Sequence, residues 1–231
     1  MKSLKENSNG FTIIELLIAT VALSILLVII TAAVFYISKT YIKGQVIDNT
    51  QNTARSIISD LSTDFEYTPN ADIVAPANGQ INVYTSSSHT GPGTPMYYFC
   101  AGQDVYAYQR DVEITSSSTL GLIKFLDTNC PAASATITLP GQYQELLSHN
   151  ERLGQLSITQ GTSASAGIPA YTVAVTVDYG SNQVLNRTTP SSASNPANEG
   201  VNYQCSSGIS FATGFCAIST LTTTVIPRIN E

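Results

Sequence analysis

Gly10-Phe11-Thr12-Ile13-Ile14-Glu15-Leu16-Leu17 opens the longest apolar run of this 231-residue chain, and the reading of everything downstream depends on it. From Leu16 to Ile37, twenty-two residues contain no charge, no Gly and no Pro. At about 1.5 Å rise per residue, a helix of that length spans roughly 33 Å, enough for a hydrocarbon core of about 30 Å. Glu15 stands where an ordinary anchor has no use for an acid. A carboxylate costs on the order of 2 to 3 kcal/mol at the centre of a span and less near its end, where the helix dipole offsets part of the cost. A cut between Gly10 and Phe11 would create a positive α-amino group four residues before Glu15, on the same helix face. That amine reaches its own chain's carboxylate or a neighbour's, so the acid would reward packing such helices side by side.

These residues resemble the processing and assembly signal of type IV pilins and of the pseudopilins of type II secretion. The resemblance is strong over residues 1–40, weaker over 41–67, and a matter of pattern beyond. It implies cleavage after Gly10 by a membrane prepilin peptidase, methylation of the new N-terminal residue Phe11, and Glu15 as the assembly carboxylate. It also implies partners: other pilin subunits through the N-terminal helix, and an inner-membrane assembly platform. Lys2 and Lys5 precede the span and keep the leader cytoplasmic by the positive-inside tendency. The expected location is therefore the cytoplasmic membrane, single-pass with its N-terminus inside, and after assembly an extracellular filament. Many major pilins carry a Pro within the apolar helix, in the neighbourhood where this chain has Ala32. That departure points to a minor pilin that caps, primes or decorates the filament. A type II secretion minor pseudopilin and a membrane-anchored adhesin or binding module are the alternatives. A secretory signal fits less well, because the apolar run exceeds the usual h-region of about 7 to 15 residues and its small-residue match, Ala19-Thr-Val-Ala22, lies inside it.

Beyond the span the helix continues as an amphipathic one. Apolar residues recur at Ile47, Ala54, Ile58, Leu61 and Phe65, with Ile57 widening the stripe. Asn49, Asn52, Ser56, Ser59, Thr63 and Glu66 fall opposite. Gly44 is a weak point between the halves, and Thr68-Pro69 is the stop. The expected organisation is a leader over 1–10, a transmembrane and assembly half over 11–38, an amphipathic half over 39–68, and a globular β-rich head over 69–231.

Strands are expected at Gln80–Thr85, Pro95–Ala101, Asp104–Arg110, Leu120–Leu126, Leu153–Thr159, Ala170–Tyr179 and Phe215–Ile226. Val173, Val175 and Val177 alternate with Thr172, Ala174 and Thr176, the period of a half-buried strand. The short Gly102-Gln103 link predicts a hairpin that sets Tyr97–Cys100 against Tyr106–Tyr108. Pro140–Asn150 reads as one short helix. Ser/Thr/Gly/Pro-rich stretches at Ser86–Thr94, Thr115–Thr119, Gly161–Pro169 and Thr188–Gly200 read as exposed loops. The fold class is α+β: a long N-terminal helix, half transmembrane and half amphipathic, packed on an antiparallel β-sheet head. By its element order the chain resembles the larger minor pilins and J-type minor pseudopilins.

Four cysteines, Cys100, Cys130, Cys205 and Cys216, lie in the exported part and read as two disulfides. Three connectivities are possible; Cys100–Cys130 with Cys205–Cys216 is favoured, because each pair brackets one hairpin-sized segment. No metal site and no cofactor are expected: C-x-x-C is absent, and His89 and His149 neighbour no cysteine. The formal net charge is −6, and −7 without Lys2, Lys5 and Glu6. No basic run follows Lys43, which argues against nucleic acid as a partner of this surface. Enzyme chemistry is not expected. G-x-S-x-G is absent and neither histidine has a nucleophile motif beside it; Asp111 and Glu113 read as solvated charges at a strand edge. Asn186-Arg-Thr188 matches a glycosylation acceptor, a three-residue pattern that arises readily by chance.

Overall fold

The computed structural model describes residues 11–68, 84–86, 96–109, 111–115, 120–127, 130, 140, 142–162, 169–188, 202–206 and 215–228. Helix α1 runs over Ile13–Tyr67. Ten strands follow: β1 Tyr84–Ser86, β2 Met96–Ala101, β3 Asp104–Tyr108, β4 Leu122–Leu126, β5 Gln144–Glu145, β6 Glu151–Thr162, β7 Pro169–Tyr179, β8 Leu185–Thr188, β9 Asn202–Cys205 and β10 Ala217–Val225. They form antiparallel sheets in the orders β1-β2-β3-β4-β5, β10-β7-β6 and β8-β9. The chain divides into two compact units, Met1–Gly44 and Gln45–Glu231. One long helix followed by antiparallel sheets is the α+β architecture that the hydrophobic patterning predicts.

Within the second unit, Ala54, Ile57, Leu61 and Phe65 of α1 are buried at helical spacing and join one core with residues from both larger sheets. Ile47 does not belong to this stripe; Val46 and Thr50 are the buried residues of the preceding turns. Thr50 is tolerated there because its hydroxyl donates to the Val46 carbonyl at 2.8 Å. Phe65 is the keystone. Its ring stacks on Phe99 of β2 at 6.2 Å and on Tyr171 of β7 at 5.4 Å, so one side chain ties the helix to both sheets.

The β2–β3 hairpin turns on Gly102 and Gln103, with Gly102 at φ +62°, where a Cβ would strain the backbone. Tyr97 faces Tyr108 with ring centroids 5.6 Å apart, and Phe99 faces Tyr106 at 5.1 Å, as the short link predicts. The other face of this sheet is also buried, around Tyr98, Cys100, Val105, Ala107, Ile123 and Phe125. Cys100 is bonded to Cys130, with Cα atoms 5.9 Å apart, and Cys205 to Cys216 at 5.6 Å. The second disulfide fastens β9 to the start of β10 beside a small cluster of Val184, Leu185 and Tyr203.

An ion cluster locks α1 to the first sheet. The Lys124 ammonium lies 2.6 Å from Asp64, 3.3 Å from Asp60 and 3.5 Å from Asp104. The Tyr106 hydroxyl donates to Asp60 at 3.0 Å and to Asp64. Burial pushes the Lys124 ammonium down, but Asp64, Asp60 and Asp104 outweigh it and hold its pKa above the usual lysine value. Burial, then the neighbouring Asp64, raises the Asp104 carboxyl.

Two expectations need correction. Pro140–Asn150 contains no helix among its described residues; Gln144–Glu145 is a short strand on β4. Its anchor is the Glu145 carboxylate, which accepts from the backbone N–H groups of Gly121, Leu122 and Leu147 at 2.8 to 3.1 Å. Those bonds bring the sheet's own backbone donors to a side chain, and Asn150 at φ +64° turns the chain into β6. Asp111 and Glu113 are not solvated charges at a strand edge. They hold Arg152, which is 1 % exposed, at 3.2 and 3.0 Å.

Arg152 faces Asp178 across β6 and β7. Both oxygens of the buried Asp178 carboxylate have no hydrogen-bond partner among the described residues. Gly154 sits at the bulge between Leu153 and Gln155, and a Cβ there would overlap Asp178 Oδ2, so a larger residue would have to displace that carboxylate. Burial raises the Asp178 carboxyl from its ordinary 3.8 to about 7; Arg152 opposes the rise and Asp111 adds to it. The folded protein thus holds a proton that the unfolded chain gives up. The favourable contribution is complete below the unfolded value and is lost as pH rises through the folded one. Asp178→Asn is therefore expected to gain stability relative to the parent as pH rises from about 4 to 7, by up to a few kcal/mol. Urea unfolding of both proteins across that range checks it; a constant offset at every pH would contradict it.

Candidate assembly site at the N-terminal helix

The first described residues, Phe11 and Thr12, lead into α1 at Ile13. Thr12 is the N-cap. Its hydroxyl accepts from the Glu15 N–H at 3.4 Å, while the Glu15 carboxylate accepts from the Thr12 N–H at 2.9 Å and the Thr12 hydroxyl at 2.8 Å. This reciprocal pair is a capping box, which satisfies donors that a helix start otherwise leaves open. The Thr-x-x-Glu spacing shows it in the sequence, yet attention to the charge of Glu15 alone passes over Thr12. The capping box changes the account of the acid. Within one chain Glu15 already has partners, so a neighbour's amine competes with Thr12 rather than with bare lipid.

From Phe11 to Ser38 every residue is exposed within the chain. This is the apolar part of a helix long enough to cross a membrane, and none of that stretch is buried. Large side chains such as Leu16, Ile18, Val28 and Phe35 each keep more than half of their surface uncovered. An apolar face of that size needs either lipid or other apolar helices around it. The few polar residues inside it do not interrupt the pattern. Thr20 donates to the Leu17 carbonyl, Ser24 to Thr20, and Thr31 to Leu27 and Val28, at 2.8 to 2.9 Å. Each of these three hydroxyls is satisfied inside the helix, so none of them forces water or a partner into the span.

Of the residues singled out in the sequence, Gly10 lies outside the described residues. Phe11 is exposed at the helix entry, and Glu15 sits one turn inside it. The four cysteines are bonded in the second unit and take no part in this site. Among the described residues no group of His, Cys, Asp and Glu is arranged to hold a metal ion.

The family described as the prokaryotic N-terminal methylation motif matches residues 6–31. The matched stretch spans Gly10, Phe11, the Thr12–Glu15 capping box and most of the apolar run. No curated protein and no solved structure matches the chain.

Proposed function

We propose that this chain, a precursor of the type IV pilin and pseudopilin kind by its N-terminal motif, is a minor pilin that is built into a filament after its leader is removed. The observation that carries the proposal is the exposed apolar helix headed by an acid in a capping box. A prepilin peptidase would cut after Gly10 and Phe11 would become the methylated N-terminus. The waiting protein is held in the membrane by α1. In assembly the helix exchanges lipid for neighbouring helices, and a neighbour's α-amino group displaces Thr12 from the Glu15 carboxylate. The exchange replaces neutral donors on the Glu15 carboxylate by a cationic one, so that both partners of the new bond are ionised. The work is mechanical, with no enzymatic step and no cofactor.

The absence of Pro from the apolar helix supports a minor rather than a bulk subunit, and the second unit would cap, prime or decorate the filament. Quantitative mass spectrometry of sheared filaments tests this. The expected result is a subunit present at a few per cent or less of the most abundant pilin-type chain. Finding it as the bulk subunit, or only in the membrane, would overturn the minor-pilin reading. A pseudopilin of type II secretion would instead leave surface filaments unchanged on deletion while secretion stops.

A further inference from the structure

The Arg152 hub does more than join strands, because the side chains it holds face a concavity of about 530 Å³ lined by Asp111, Asn182, Leu185, Asn186 and Tyr203. That volume lies within the range of small-molecule clefts. Three of the five lining residues are held from behind by one buried guanidinium. Arg152 Nη1 donates to Asn182 Oδ1 at 2.7 Å, to Asp111 Oδ1 at 3.2 Å and to the Tyr203 hydroxyl at 3.5 Å. Its other terminal nitrogen donates to Glu113 at 3.0 Å and to the Gly180 carbonyl at 2.9 Å, which fixes the guanidinium plane. The Tyr203 ring lies under the same cation, 5.4 Å from its centroid. Asp111 is held at φ +63°, a conformation uncommon for a residue other than Gly. Backbone strain of this kind persists where surrounding contacts over-determine it, and it clusters at binding sites.

The bonds decide what chemistry the concavity offers. Because Asn182 Oδ1 accepts from Arg152, its Nδ2 is left as a donor. The Tyr203 hydroxyl accepts from Arg152 and keeps its own hydrogen to donate. Asn186 is exposed and offers an amide with both a donor and an acceptor. Asp111 adds a carboxylate, and Leu185 the one apolar wall. A metal ion does not fit, since a guanidinium stands behind the lining and Asp111 is the one carboxylate in it. An anion does not fit either, because Asp111 and Glu113 would repel it. A ligand whose groups each donate and accept, and which carries no charge, matches this alternation.

We propose that this concavity is a binding site for a neutral saccharide, with Asn182, Asn186, Tyr203 and Asp111 engaging its hydroxyls and Arg152 acting as the positioning residue. The site lies wholly within the second unit and does not depend on how the N-terminus is processed.

Saturation-transfer NMR on the full chain in detergent micelles, with Asn186 verified as unmodified by mass, tests it. The probes are glucose, galactose, mannose and N-acetylglucosamine, with sialic acid and spermidine as the charged comparisons. Transfer to at least one neutral sugar is expected. Asn186→Ala and Tyr203→Phe each remove one hydrogen-bonding group and should weaken its Kd by about two- to tenfold. Tm should stay within about a degree of the parent for Asn186→Ala and fall by no more than about 5 °C for Tyr203→Phe, which also loses the bond from Arg152. Binding to none of the four neutral sugars would overturn the proposal. So would affinity unchanged in both variants, or a preference for sialic acid or spermidine.

Discussion

Glu15→Gln is expected to leave the protein in the membrane and keep it out of the filament. Gln can still close the capping box with Thr12, because its side-chain oxygen accepts as the carboxylate does. The helix start, which in this chain is held by bonds of 2.8 to 3.4 Å, therefore survives the change. What is lost is the charge that would reward a neighbour's amine. A loss of about 1.4 kcal/mol per subunit contact already lowers incorporation tenfold, and a hydrogen bond to a charged group is worth about 1.5 to 3 kcal/mol. Glu15→Ala removes the cap as well and adds a helix-start penalty of about 0.5 to 2 kcal/mol. Quantifying both variants in membrane and sheared-filament fractions separates the effects. If Gln assembles like the parent while Ala does not, the residue serves the cap and not the charge.

Phe65→Ala should cost the second unit a large part of its stability. The ring is fully buried and contacts a ring of each larger sheet. Removing a buried Phe costs about 3 to 5 kcal/mol once the cavity is included, against a total of about 5 to 15 kcal/mol for a domain. Tm is expected to fall by roughly 10 °C or more, read from near-ultraviolet circular dichroism of the full chain in detergent. The two disulfides lie elsewhere and do not cover this gap. A fall of only a degree or two would show that the sheets hold together without the helix.

The sequence carries the helix and the hairpin openly because both rest on local periodicity. Ala54, Ile57, Leu61 and Phe65 recur at helical spacing, and the Gly102-Gln103 link leaves Tyr97 one possible neighbour across the turn, Tyr108. The capping box was equally local and needed only Thr12 to be read together with Glu15. The rest depended on contacts between distant segments. Nothing near Arg152 in sequence marks it as buried, since its partners arrive from three separate stretches: Asp111 and Glu113 from one, Asn182 from a second and Tyr203 from a third. Strand β5 looks helical along the chain because its anchoring bonds come from Gly121 and Leu122, more than twenty residues earlier. Strands β8 and β9 are only four residues each and alternate too briefly to stand out from the polar loops around them.

The central claim is that this chain enters a filament with Phe11 as its first residue, and intact-mass and N-terminal peptide mass spectrometry of the isolated mature protein tests it most directly. The account predicts a chain that lacks residues 1–10 and begins at an N-methylated Phe11. A mature protein that still begins at Met1, or one cut inside the apolar run near Ala22, would contradict it.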